Sequence, residues 1–297
     1  NLSLMDLNIN NTSAIDTSFQ SLLDTLFLQG NNLKYSFQKS FVSDVNFTFV
    51  YNTNAITGPQ KDAKYFRLGL ESGGTLLNVI PSQEKLIQHI FGDLQFYKYL
   101  RFNADFRKYW AISKSKSFIA RVNTGAIYSY GKDKVTPYEK YFFAGGSNSI
   151  RGWLPRRLGP GSSAPRVTTN NLSIEAPGEF LLEGNLEWRG HLAHFFGDIN
   201  YAIFIDAGNV WNINNNANEA QKLGANSFIK EIAIGSGVGI RYDLSFFVLR
   251  FDFGFKVYDP YYQKFMLNEL NFQKISNVFD RTRKNFLNIN LGVDYPF

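Results

Sequence analysis

Apolar and polar residues alternate with a period of two along much of this 297-residue chain, and that pattern restricts the fold more than any other feature. At the end of the chain, Leu287, Ile289, Leu291, Val293, Tyr295 and Phe297 alternate with Asn288, Asn290, Gly292, Asp294 and Pro296. Just before, Leu249, Phe251, Phe253, Phe255 and Val257 alternate with Arg250, Asp252, Gly254 and Lys256. Successive side chains on an extended backbone point to opposite faces, so each segment is a strand with one greasy and one polar side. The pattern recurs near 44–53, where Val45, Phe47, Phe49 and Tyr51 share a face, and near 64–72, 97–110, 117–130, 180–190, 200–211 and 231–242. This gives about nine strands of roughly nine to eleven residues, the length that crosses a bilayer when tilted.

A soluble sandwich would bury the apolar faces in a core, whereas a membrane barrel would turn them to lipid. The polar faces separate the two. They carry Arg101, Asp105, Arg107, Arg121, Glu183, Glu187, Arg189, Arg241, Arg250 and Asp252 at mid-strand, which suits a hydrated lumen. A 16% aromatic content, with 29 Phe and 16 Tyr, fits the aromatic bands of such a barrel. Mean hydropathy is slightly negative and no run of about 18 apolar residues exists, so helical spans are excluded. Connections alternate between short turns near 54–62, 112–116, 191–198 and 243–246 and long loops near 73–96, 131–179, 212–230 and 258–284. In a barrel the long set is extracellular and the short set periplasmic. Phe251, Phe253, Ile289, Leu291 and Val122 are expected to face lipid, and Arg250, Asp252, Asn290 and Arg121 the lumen.

The first 43 residues do not follow the strand pattern. Asp16 followed by Phe19, Leu22, Leu23, Leu26 and Phe27, ending at Gly30, reads as a capped amphipathic helix within an extracellular loop region, 1–43, ahead of the barrel portion, 44–297. The chain starts at Asn1 with no charged and apolar leader, as expected for part of a longer protein. The net charge of +6 is dispersed rather than striped, so no nucleic-acid partner is expected. With zero cysteines there is neither a disulfide framework nor a thiolate metal site. His191 and His194 fall in a predicted turn and read as solvated surface residues. No nucleophile–base arrangement is visible, so neither an enzyme nor a metal or organic cofactor is expected.

The most unusual segment runs from Tyr141 to Gly161, YFFAGGSNSIRGWLPRRLGPG, inside the long connection 131–179. Its Gly145-Gly146 pair lacks the strand–loop–helix context and the Gly-Lys-Ser/Thr of a phosphate cradle. Strand parity turns Glu187 and Asp206 into the lumen, where a guanidinium from a folded-in loop could bridge both. Arg151 is the candidate, because a planar fork with five donors serves two carboxylates better than an ammonium does. Gly145, Gly146 and Gly152 would let the backbone turn on either side of it.

Ile150-Arg151-Gly152-Trp153 resembles the signature loop of the BamA/TamA superfamily of outer-membrane assembly barrels, and the Arg156-Arg157-Leu158-Gly159-Pro160-Gly161 continuation, Arg-x-Leu-Gly-Pro-Gly, resembles its Bacteroidota, surface-antigen form. Phe204-Ile205-Asp206-Ala207-Gly208 resembles the Phe-x-Asp-x-Gly strand motif of that superfamily. Leu186-Glu187-Trp188-Arg189 is similar to its acidic segment, and Tyr295-Pro296-Phe297 to the C-terminal aromatic signal of outer-membrane barrels. The resemblance implies an all-β, antiparallel transmembrane β-barrel of which this chain supplies about nine C-terminal strands out of about sixteen, the earlier strands and periplasmic POTRA domains lying elsewhere. It further implies a bacterial outer-membrane factor that inserts other β-barrels through a seam bounded by the last strand, 286–297. Its partners would be membrane lipids, unfolded outer-membrane clients and accessory subunits. Gly292 would either weaken that strand locally or simply answer to packing. A two-partner secretion pore of the same superfamily, or a passive channel, is the alternative.

Overall fold

The computed structural model describes residues 2–10 (backbone), 16–28, 34, 37, 40–53, 62–74, 85, 89, 95–130, 135–164, 174–213, 218–244, 246–266 and 286–297. In chain order the elements are β1 (Leu2–Asn10), α1 (Thr17–Leu28), β2 (Ser40–Asn52), β3 (Ala63–Gly73), β4 (Gln95–Phe96), β5 (Tyr99–Ser113) and β6 (Lys116–Ser129). After the signature loop come β7 (Phe180–His194), β8 (Asp198–Trp211), β9 (Ala233–Asp243), β10 (Val248–Asp259), β11 (Lys264–Phe265) and β12 (Leu287–Val293). They form one twelve-stranded sheet in the order β1-β2-β3-β5-β6-β7-β8-β9-β10, with β11 and β12 both on β10 and the short β4 beside β2. All pairings are antiparallel except β4 with β2. The protein is thus all-β, with the up-and-down wall of a barrel.

The two faces separate as the alternation requires. On the outer face Phe47, Phe49, Phe106, Val122, Ile203, Val238, Phe251, Ile289 and Leu291 are exposed, Phe251 at 42%. On the inner face Asp105, Arg121, Glu183, Glu187, Asp206, Arg241, Arg250 and Asp252 are buried. A sandwich would show the reverse. What covers the inner face is the connection between β6 and β7. Its Phe142, Ala144, Ile150, Trp153 and Leu158 pack on Tyr99, Ile127, Leu181, Val210 and Ala233, so the core lies between loop and sheet.

Four features differ from the sequence reading. Residues 2–10, expected as loop, form β1. Its register on β2 shifts between Ser3 and Asp6, so Leu2 and Leu4 fall out of phase with Leu7 and Ile9 and the period of two is broken by a bulge. β2 begins at Ser40 rather than 44. The turn expected at 191–198 contracts to 195–197, because β7 and β8 stay paired to His194 and Asp198 through a register shift after His191.

The fourth concerns the end of the chain, where the strand expected over 286–297 stops at Val293. Asp294 takes a left-handed conformation, φ 70°, which aspartate tolerates better than most residues. This reverses the parity, and Phe297 lands on the inner face at 6% exposure instead of beside Leu291. Gly292 makes room for Arg250: a Cβ there would lie 2.5 Å from its Nη2.

Helix α1 starts as expected, with Asp16 Oδ1 accepting from the Phe19 amide at 3.3 Å, and Leu23 is fully buried. Its expected end at Gly30 lies outside the described residues. So do most of the turn 54–62, most of the loops 73–96 and 258–284, and most of the tract Asn212–Asn216.

Candidate functional site

The site is assembled from one loop and five strands, β7, β8, β9, β10 and β12. Register places Asn185 of β7 opposite Asp206 of β8, and Glu187 opposite Phe204, so two acids, an amide and an aromatic ring share one patch of the inner face. The loop delivers Arg151 onto it. Arg151 Nε and Nη2 donate to Asp206 Oδ2 and Oδ1, both at 2.8 Å, a two-pronged pairing, while Nη1 donates to Glu187 Oε2 at 2.5 Å. The Arg151 backbone amide adds a bond to Asp206 Oδ2 at 3.1 Å. The Phe204 ring lies under the guanidinium, 3.4 Å from Cζ to centroid. All three charged side chains are fully buried. Burial opposes the charge on Arg151, but Asp206 and then Glu187 outweigh it and raise its pKa above the ordinary arginine value, so it stays cationic.

A wider shell holds the acids and the loop in place. Arg189 Nε donates to Glu187 Oε1 at 2.7 Å, Arg241 Nη2 to the same oxygen at 3.3 Å, and Arg241 Nη1 to Asp252 Oδ1 at 2.5 Å. Asn185 Nδ2 bridges Asp206 Oδ1 and the Ser149 carbonyl, both at 2.9 Å. From β12, Asn288 and Asn290 each donate to the Arg151 carbonyl at 3.0 Å, and Asn288 also to that of Trp153 at 2.9 Å. Phe297 closes the shell, its centroid 5.6 Å from the Arg151 guanidinium and 5.8 Å from those of Arg121 and Arg189. Arg189 Nη2 donates to the Phe297 carbonyl at 3.2 Å.

Glycines let the loop approach this closely. Gly145 and Gly146 have φ of 98° and 96°, open to them without the Cβ penalty. Gly152 serves differently from the turning role expected of it: a Cβ there would sit 3.0 Å from the Phe255 carbonyl. At Gly254 of β10 a Cβ would meet the Arg151 carbonyl at 2.3 Å, and at Gly237 of β9 the Phe204 ring at 2.4 Å. A Cβ at Gly208 would meet the Leu182 carbonyl at 2.3 Å. Ile150 and Trp153 flank Arg151 as buried apolar plugs.

The sequence reading put Arg189, Arg241, Asp252, Gly254, Asn288 and Asn290 on the polar face but not in the site, and missed Asn185. Signals existed: Gly235, Gly237 and Gly239 share parity with Arg241 and clear a strip, and Asn288 and Asn290 share the polar parity of the last strand. His191 and His194 are exposed with Nδ1 4.0 and 2.8 Å from Asp198 Oδ1. Among the described residues no cluster of His, Cys, Asp or Glu is arranged to hold a metal ion. What the site offers chemically is a desolvated, multiply bonded lock between a loop and a strand wall.

No curated protein sequence matches the chain significantly. Among solved structures it is similar to the crystal structure of BamA from Haemophilus ducreyi lacking POTRA domains 1–3, with a TM-score of 0.52 and 16% identity over 74% of this chain. The chain spans 40% of that protein. The model of the Omp85 superfamily domain matches residues 39–279, which include the loop, Glu187 and Asp206. The chain belongs to the Omp85 superfamily of outer-membrane β-barrels.

Proposed function

We propose that this chain is the C-terminal barrel portion of a bacterial outer-membrane assembly factor, which inserts β-barrel clients through a lateral seam with β12 on one side. Residues 40–297, extended by β1, would form part of the barrel wall, with the rest of 1–39 extracellular. The observation that carries the reading is the buried Arg151–Glu187–Asp206 lock. A passive channel gains nothing from filling its interior with a loop held by desolvated charges, whereas a machine that must hold one conformation and open a seam needs such a device. β12 suits a seam: it has 7 residues against 15 in β7, and among the described residues it pairs only with β10. Lipid on the outer face, unfolded outer-membrane proteins at the seam and accessory subunits are the partners this function requires.

The test is replacement of the native gene by an Arg151→Ala allele in its host, followed by quantification of other barrel proteins in the outer membrane. The expected result is their depletion while the variant itself remains abundant, with Arg151→Lys restoring them only in part. Normal levels would favour the secretion-pore or channel reading.

A further inference from the structure

The loop that carries Arg151 has a second polar anchor, far along the sheet from the first. Lys140, in the 3-10 turn Tyr138–Lys140, places Nζ 3.1 Å from Asp44 Oδ2 of β2 and in a very short contact with Glu71 Oε1 of β3. Tyr99 of β5, itself fully buried, donates its hydroxyl to Glu71 Oε1 at 2.6 Å and to Asp44 Oδ2 at 3.3 Å. Arg101 of β5 grips the same turn from the other side: Nε donates to the Lys140 carbonyl at 3.0 Å, and its guanidinium lies 4.5 Å from the Phe142 ring. The Lys140 side chain is 20% exposed and its two carboxylate partners less than half that.

This arrangement differs from an ordinary surface ion pair. Asp44 and Glu71 occupy diagonal positions on adjacent strands, since Asn46 is the residue opposite Glu71. Two like charges on one poorly solvated face repel, and among the described ion pairs no residue of β2 or β3 supplies the compensating cation. Arg101 lies 3.7 Å from Glu71 alone. Among the described residues, Lys140 is the cation that pairs with both carboxylates. A compact ammonium suits this place, where two carboxylates and a hydroxyl converge on one point.

We infer that Lys140 is a positioning residue of the signature loop, and that Asp44 and Glu71 are its receptor. Arg151 binds strands on one side of β6, and Lys140 binds β2 and β3 on the other, with β5 between. The loop is thereby a tie across the inner face, and movement of β2 and β3 relative to β7 and β8 strains or breaks one of its two anchors. Any consequence for client insertion rests on the function proposed above.

Hydrogen exchange on the full-length protein in lipid nanodiscs tests the tie. Phe142 and Gly178 exchange backbone hydrogen bonds at 2.9 and 2.8 Å and report the Lys140 limb, while the bond from Gly146 to the Trp153 carbonyl at 2.9 Å reports the Arg151 limb. Lys140→Met is expected to speed exchange at Phe142 and Gly178 by about tenfold and to leave Gly146 unchanged. The charge swap Lys140→Glu with Glu71→Lys should restore protection, which a loss of mere packing would not allow. If Lys140→Met does not accumulate, Glu71→Gln should give the same selective effect at about two- to threefold. Unchanged exchange at Phe142 in the variant that accumulates overturns the inference, whatever happens to client levels. Faster exchange with normal outer-membrane barrel proteins supports the tie and counts against the insertion function.

Discussion

The two faces of the same strands are built to different tolerances. Along β10, Phe251 and Phe253 point outward, and any apolar side chain of similar bulk would serve there, because contact with a fluid apolar medium sets only character and approximate volume. One residue away, Arg250, Asp252 and Gly254 point inward, and each meets a specific atom: the Asn148 side chain at 2.8 Å, the Arg241 guanidinium at 2.5 Å, and the Arg151 carbonyl where a Cβ would stand. The difference is one of directionality. Dispersion and the hydrophobic effect are non-directional and scale with area, whereas buried charges and hydrogen-bonding groups must find partners at fixed distance and angle.

That contrast can be broken or sharpened by substitution. The largest effect is expected for Arg151→Ala, which leaves Glu187 and Asp206 buried without their principal partner and should destabilise the docked loop by about 3 to 5 kcal/mol. Protease sensitivity between residues 141 and 161 should rise sharply while the strands stay paired, and undiminished protection would show the lock to be ornamental. On the outer face only a change of character should approach this. Phe251→Arg is expected to cost about 2 to 4 kcal/mol if the residue lies near the bilayer midplane, as measured by denaturant unfolding from liposomes. Asn288→Ala, on the inner face of β12, leaves the Trp153 carbonyl without this donor and removes one of two donors to the Arg151 carbonyl, at about 1 to 3 kcal/mol. Exchange of the amides near 151–153 should accelerate. Phe251→Leu should be the mildest, below about 1.5 kcal/mol, and a larger loss would mean that the outer face is packed as tightly as the inner one.

Much of this was legible in the residues. Alternation located the long strands and gave the face of each residue by parity, so Glu187 and Asp206 could be put on one surface with Arg151 as their partner. It failed where the backbone leaves the ideal pleat. The bulge between Ser3 and Asp6 hid β1, and the left-handed Asp294 moved Phe297 from one face to the other. A period-two pattern carries no information about an added residue or a reversed φ, and a single such residue inverts every later assignment.

By itself, then, the sequence determined the class of fold and the two chemistries of the wall, because both follow from local spacing of side chains along an extended chain. Beyond Arg151 and its two acids, the tertiary structure alone decided which inward residues meet. Asn288 and Asn290 lie more than a hundred positions from the loop carbonyls they bind, and Lys140 lies nearly as far from Asp44. Parity puts the two asparagines on the inner face, but nothing in the local pattern of these three residues names their partners. They become partners only when the sheet sets the register of distant strands and the loop folds back to within about 3 Å, the range where hydrogen bonds act.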